Sequence, residues 1–417
     1  MLVSYRILDL TNERGLLCGK VLGDMGADVI MIEPPQGHPS RKMGPFFKDI
    51  PHPEKSLYWM FTNLNKRGIT LDITQSEGRE IFKKMVSKAD AVIESFDPGY
   101  MEGLGLGYAD LEKINPGIVL TSITPFGQKG PYAHFKVTDL VGMSMGGMVR
   151  IFGNYGEAPV RISMPQFYFL GSLYAMAGAM LALYHRDMSG QGGQHVDASC
   201  QQAVAKSLMD ASSWWDINKV NIVGTGNFIL GKRPSPPGEL RVRRVWECKD
   251  GHVVFIMGGG ANVGMSASSK ALVQLANEHG MALEIKDFDW STWNAAAITQ
   301  EEADKIINPL ADFLKTMPIH ELFEEAVKRS ILIGPIQNTA GLMESSQLKA
   351  RQFWTEVPHP ELGGTLTYPG YPLKVTGCDY RPQRRAPMLG EHNEEIYLNE
   401  LGFPREKLVL LKTQGII

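Results

Sequence analysis

Apolar positions in the first third of the chain fall in short continuous runs: RILDL at Arg6–Leu10, DVIMIE at Asp28–Glu33, GITLDI at Gly68–Ile73, AVIESF at Ala91–Phe96 and GIVLTSI at Gly117–Ile123. Short apolar runs bounded by turn residues predict strands buried on both faces. Between the first two runs, Gly15–Gly26 predicts a helix, with Thr11 or Asn12 placed to cap it. Thr74 and Glu77 have the spacing of a capping box, opening a second helix that runs through about Lys88. Strands alternating with helices imply a mostly parallel sheet covered on both faces, an α/β fold whose ligands gather at the carboxyl ends of the strands. The loops after Glu33, Ile73, Phe96 and Ile123 are therefore candidates; they carry Arg41, Asp97-Pro98-Gly99 and Gly127–Pro131.

A different pattern runs from Met164 to Arg186. No charged residue stands between Arg161 and His185, and small residues recur every fourth position at Gly171, Ala175 and Ala179. An apolar segment of about 20 residues is either a membrane span or a helix inside a large core. Gln166, Ser172 and three tyrosines, with no second segment like it, favour the core helix, and the small residues would admit a close neighbour. Ser189–Gln194 then reads as a glycine-rich turn and His195–Asp197 as a strand. Lys219–Gly238, with Lys232–Gly238 rich in proline, reads as a linker. Val242–Met257 predicts a hairpin turning at Asp250-Gly251 and running into Gly258-Gly259-Gly260, for which a plain loop is the simpler reading than a flap. Helical periodicity covers Glu301–Lys315 and Ile319–Arg329, and Val357–Arg385 is expected to return to the first domain. The division expected is residues 1–218 as the first part of a large domain, 219–335 as linker and small domain, and 336–417 as the returning segment.

Composition narrows the function. A chain of 417 residues has room for two cores. A net charge of -3 with 21% charged residues argues against a nucleic-acid or anionic-membrane partner. Four scattered cysteines and an N-terminus that enters a strand directly fit a cytoplasmic protein with reduced thiols. The histidines lack metal-ligand spacing, so no metal is expected and loop or surface roles are the default. Gly15, Gly19 and Gly23 fall inside the first helix rather than as G-x-G-x-x-G before it, which removes a nicotinamide or flavin site.

Several runs, RILDLTNERGLLCGKVLGDMGADVIMIEPPQGHPSR, NKRGITLDI, AVIESFDPGYMEGLGLGY, SITPFGQKGPY and LALYHRDMSGQGGQHVDAS, with weaker matches at GGGANV, LIGPIQN and ARQFWTEVPHPELG, together resemble the class III CoA-transferases. The resemblance implies a Rossmann-like, parallel-sheet large domain made from both chain ends, a smaller α+β domain between them, and an interlocked dimer whose sites lie between domains of different subunits. It implies a coenzyme A thioester as substrate, with no permanently bound cofactor, and a carboxylic acid as acceptor. In such enzymes an aspartate at the start of the central helix, a few residues before the glycine that is here Gly171, carries the acyl group, because a covalent carrier splits the exchange into two easier displacements. The glycine-rich loop Gly258, Gly259, Gly260 would shield the intermediates from water. Arg41, Leu71, Phe96 and Lys136 match positions that contact the nucleotide part of CoA.

This chain departs from that pattern where it matters most. Between Glu157 and Asp187 there is no aspartate or glutamate, and Gln166, the polar residue nearest the expected position, is an amide that cannot carry an acyl group. Asp97 and Gly103 stand where relatives commonly place basic residues facing CoA phosphates, and Asp97 would repel them. The resemblance then favours a non-catalytic subunit whose paralogous partner supplies the aspartate. Met164, Phe167 and Tyr168 would suit an aromatic dicarboxylic acid, although such residues are more often simple core. A racemase of the same superfamily would need a His/Asp acid–base pair; Val137-Thr138-Asp139 carries threonine at the histidine position. Other readings are an acyl-CoA- or acid-binding homodimer acting as sensor or scaffold, and takeover of the nucleophile role by Glu157 or Asp139.

Overall fold

The computed structural model describes residues 1–209, 211–230, 240–294, 297–378 and 384–417. It divides into two compact units, one of residues Met1–Gly147, Ser163–Ser207 and Ser345–Ile417, the other of Met148–Ile162 and Leu208–Glu344. Residues 148–162, which the sequence places in the large domain, join the second unit because the Gly224 and Gly226 amides donate to the carbonyls of Arg150 and Gly153. The Lys232–Gly238 part of the expected linker lies outside the described residues.

The first unit is α/β. Six strands, β1 (Arg6–Leu10), β2 (Asp28–Glu33), β3 (Lys66–Thr70), β4 (Ala91–Glu94), β5 (Val119–Thr124) and β6 (His195–Ser199), form a wholly parallel sheet in the order β3-β2-β1-β4-β5-β6. The order reverses direction between β1 and β4, and in a doubly wound sheet that is where the crevice for a ligand opens. One face of the sheet presents Leu8, Ile30, Val92 and Leu120 to a core completed by the helix Ser76–Val86 and by the returning chain end through Tyr397, Leu408 and Leu411. The return is pinned by Arg67, whose guanidinium reaches Asp28, Glu395 and Glu400, and by the Tyr397 hydroxyl on the Thr70 carbonyl.

On the other face Lys66 and Asp9 form an ion pair of 2.8 Å with both side chains 0% exposed. Lys66 also donates to the Leu16 carbonyl, and Asp9 accepts from the Thr11 amide and hydroxyl. The first helix, Leu16–Asp24, crosses directly over this carboxylate: a Cβ at Gly19 would collide with it. The regular glycines of that helix thus serve close packing. Thr11, engaged by Asp9, does not cap it; Gly15 is the cap residue and no side chain bonds the helix end. The capping box at Thr74 and Glu77 is likewise absent, since the Thr74 hydroxyl goes to Asp72 at 2.6 Å and Glu77 pairs with Lys407.

The central helix spans Phe167–Ser189. Its small-residue stripe, Gly171, Ala175, Ala179 and Ala182, is buried, and the Gly171 approach to Cys200 leaves no room for a side chain. The other side is not buried. Leu181, Tyr184 and Met188 are 68%, 63% and 70% exposed, and Leu173 and Tyr174 continue the same stripe. The expectation of a helix enclosed on every side is therefore corrected for the single chain. By length and composition it is the one helix among the described residues apolar enough to cross a membrane, yet its small residues are spent on the protein.

The second unit is α+β. Strands Val245–Cys248, Gly251–Phe255 and Ile333–Pro335 form an antiparallel sheet, and helices Val263–Glu278, Gln300–Thr316 and Ile319–Arg329 close a core around Trp246, Phe255, Leu310 and Phe313. The hairpin turns at Lys249-Asp250, one residue before the expected position, because Gly251 already pairs with Cys248. A capping box is formed instead by Thr299 and Glu302.

Removing one partner of a buried ion pair leaves a stranded charge, which costs about 3–5 kcal/mol. Lys66→Met is therefore expected to lower the stability of the first unit by that amount in urea unfolding at neutral pH. The double variant Asp9→Leu/Lys66→Met should recover part of the loss despite carrying two substitutions.

Candidate active site at the sheet switch point

The loops that leave β1 and β4 are tied together at the switch point. The Asn12 amide donates to the Ser95 hydroxyl at 2.8 Å, that hydroxyl donates to Asn12 Oδ1 at 2.9 Å, and the same Oδ1 accepts the Arg14 amide at 3.0 Å. One residue beyond Ser95 the Phe96 amide donates to Glu94 Oε2 at 2.7 Å, fixing the start of the second loop. From this base two side chains reach across: Arg14 Nη1 meets Asp97 Oδ1 at 2.9 Å. Asp97 was expected to repel a phosphate; it is instead one half of an ion pair, and its charge is compensated. No local pattern marks Arg14, because the loop after Leu10 leads straight into the first helix, although it too follows the carboxyl end of a strand.

The first turns of the central helix border the same loops. The Ser172 hydroxyl donates to the Arg14 carbonyl at 3.2 Å. Tyr168 donates to the Val137 carbonyl at 2.9 Å, and burial pushes its phenol up to about 12 while nearby Arg14 pulls the other way. Phe167 is fully buried and fits against Gly142, where a Cβ would enter its ring. Gln166 stands at the cap position with no side-chain bond to the helix end. That bond comes from Asp139: its Oδ1 accepts the Gln166 and Phe167 amides, each at 2.8 Å. A carboxylate at the positive end of a long helix is well placed electrostatically, and this one is occupied in holding that end. Glu157 lies in the second unit, exposed, accepting from Asn154 at 3.0 Å.

The positions that the resemblance assigns to CoA fall in different surroundings. Arg41 is buried; it grips Glu33 through Nε and Nη2 at 2.6 and 2.8 Å, Glu54 through Nη1 at 2.7 Å and the Pro387 carbonyl at 3.0 Å, and it stacks 3.9 Å over Trp59. Its donors are thus directed into the protein, joining β2 to the returning segment. Leu71 is buried in the sheet core, Phe96 is half-buried and stacked on Tyr100 at 4.5 Å, and Lys136 is exposed. In the second unit, Gly258 exchanges two hydrogen bonds with Ser269 and the Gly260 amide donates to the Trp290 carbonyl at 2.8 Å. A Cβ at Gly259 would come within 2.7 Å of Trp293 Cβ, so these glycines answer a packing demand. Among the described residues no three His, Cys, Asp or Glu side chains converge as metal ligands. His38, expected at a loop or surface, is buried beside Ser40, and burial pushes its pKa down to about 3.

Behind β4 and β5 is a second cluster of polar groups. Glu94 is buried, bonded to Ser122 and to the Phe96 amide, and burial pushes its carboxyl up to about 7, with Glu102 and Asp197 adding to the effect. Ser122 in turn meets His195 Nε2 at 2.9 Å.

Comparison with known proteins places these features in context. The profile of CoA-transferase family III matches residues 2–393. The chain is 32% identical to succinyl-CoA:(R)-benzylsuccinate CoA-transferase subunit BbsE of Thauera aromatica, over 99% of this chain and 97% of that protein. It is 31% identical to formyl-CoA:oxalate CoA-transferase of Streptomyces coelicolor, over 100% and 99%. Among solved structures, a CAIB/BAIF family protein from Brucella suis superposes with a TM-score of 0.80 at 26% identity, covering 95% of this chain and 98% of that one.

Two outcomes follow from this geometry. Asp139→Ala removes both acceptor bonds at the helix start and should destabilise the first unit by about 1 kcal/mol, with Asp139→Asn losing less, as read by thermal melting. Glu94 holds its proton in the fold above the pH at which the unfolded chain releases it. Its contribution is therefore full below about pH 4.5 and falls by about 1.4 kcal/mol per pH unit until about pH 7. Glu94→Gln should flatten the stability profile across that window; an unchanged profile would mean that Glu94 is ionised in the fold.

Proposed function

The chain belongs to CoA-transferase family III, and we propose that within it this protein is the non-catalytic subunit of a heteromeric enzyme that moves CoA from succinyl-CoA to benzylsuccinate. The observation that carries the reading is the lack of any carboxylate between Glu157 and Asp187, the stretch that holds the whole start of the central helix. Phe167 is fully buried there and Asp139 is engaged with two backbone amides, which argues against a substitute nucleophile at that helix start. The likeness to subunit BbsE over nearly all of both chains supports the choice of donor and acid.

In this account a paralogous partner supplies the aspartate. That carboxylate attacks the carbonyl carbon of succinyl-CoA and the C–S bond breaks, giving a mixed anhydride and CoA thiolate. The thiolate then attacks the aspartyl carbonyl and releases succinate, leaving an aspartyl-CoA thioester. Benzylsuccinate carboxylate attacks the aspartyl carbonyl and expels CoA thiolate, giving a second mixed anhydride; the thiolate then attacks its benzylsuccinyl carbonyl, which forms benzylsuccinyl-CoA and frees the aspartate. Covalent carriage divides one hard exchange into easier displacements. This chain contributes structure and binding surface. The exposed apolar stripe Leu173, Tyr174, Leu181, Tyr184 and Met188 fits burial against a partner subunit, in an interlocked arrangement. The cytoplasm, where acyl-CoA is available, is the proposed location.

Expressed alone, the chain should give no CoA transfer from succinyl-CoA to benzylsuccinate; co-expressed with its aspartate-bearing paralogue, it should co-purify with it and the pair should be active. Transfer by the chain alone would overturn the non-catalytic assignment, and a stable homodimer inactive with or without the paralogue would favour a sensor or scaffold. Leu181→Glu/Tyr184→Glu, on the exposed stripe, should abolish co-purification while leaving the fold of the chain intact by circular dichroism.

A further inference from the structure

The Arg14–Asp97 pair is built unevenly. Arg14 is fixed from behind: its amide is held by Asn12 and its carbonyl by Ser172. Its side chain is 15% exposed, against 53% for Asp97. The buried Nε has no hydrogen-bond partner among the described residues, so the guanidinium is under-used. Asp97, by contrast, is held through its backbone, whose carbonyl accepts the Tyr100 amide at 3.0 Å, while its side chain is more than half exposed and precedes Pro98 and Gly99, the latter in the left-handed region at φ 86°. The cation is rigidly mounted, and the anion is the replaceable member. Both stand at the carboxyl ends of β1 and β4, where the strand order reverses and ligands of such sheets collect.

We propose that Arg14 binds a carboxylic acid of the substrate's class, at a site that does no chemistry in this chain, and that Asp97 occupies it as a stand-in until the acid arrives. The ligand class rests on the function proposed above; the exchange itself rests on the geometry. A planar guanidinium matches a carboxylate through two parallel N–H donors, whereas Asp97 takes one, from Nη1. Ser172 and Tyr168, on the first turns of the central helix, flank the site, so a bound acid would lie beside the helix start. Asp97 is more than half exposed, so water competes for its side of the pair and exchanging one carboxylate for another is cheap.

Calorimetric titration of the full-length chain with succinate, and separately with inorganic pyrophosphate, tests this without a partner or turnover. Asp97→Asn removes the competing anion and should tighten succinate about tenfold, a change that a misfolded variant cannot produce. Arg14→Gln should weaken succinate about tenfold or more, Arg14→Lys should fall between, and Asp97→Asn/Arg14→Gln should show no gain. Succinate binding that is unchanged or weaker in Asp97→Asn, or unchanged in Arg14→Gln, overturns the proposal. So does a gain that falls on pyrophosphate and not on succinate. Because the readout is binding to this chain alone, its failure leaves the heteromeric reading standing. Activity of the chain alone, in turn, would leave the exchange intact.

Discussion

A lysine and an aspartate in contact inside a sheet, with neither side chain exposed to solvent, constrain everything around them. Asp9 and Lys66 meet across β2, and the aspartate's second oxygen is taken by Thr11. Thr11 therefore cannot cap the following helix, the helix must pass close enough to require Gly19, and the chain leaves β1 on a fixed course into Asn12 and Arg14. Desolvating two charges is costly unless geometry and further hydrogen bonds repay it. Here the Leu16 carbonyl and the Thr11 donors complete the set. The position of Arg14 at the switch point is a consequence of that internal pair.

Much of the fold is legible because strands buried on both faces read as continuous apolar runs, and all five early runs become strands of one parallel sheet. Their ends are less legible. Leu71 and Asp72 read as strand, yet the Asp72 amide is already bonded to Ile416, a contact between residues far apart in the chain that no local pattern reveals. The Thr74–Glu77 spacing fails as a capping box because Asp72, two residues away, claims the hydroxyl and the distant Lys407 claims the carboxylate. The central helix is legible as a helix, but a sequence apolar on every side does not say which side faces its own chain.

The site shows the same division. That the helix start lacks a carboxylate is read directly from the residues. That Arg14 and Asp97 form a pair is not, because they are 83 positions apart and joined only by the adjacency of β1 and β4. The fold gives Asp97 a cation, and it directs Asp139, the first residue of the helix Asp139–Met145, to the start of the central helix. In both cases a carboxylate that might have been read as chemistry is neutralised or engaged by the protein itself.

In the function proposed above, no carboxylate of this chain carries an acyl group or CoA. The direct measurement is peptide mass spectrometry of the purified heteromeric complex, quenched during turnover with succinyl-CoA, with every acidic residue of both chains covered. The anhydride-derived and CoA adducts are expected on an aspartate of the partner, with all peptides of this chain at their unmodified masses. An adduct on Asp139, Glu157 or any other carboxylate of this chain would contradict that function.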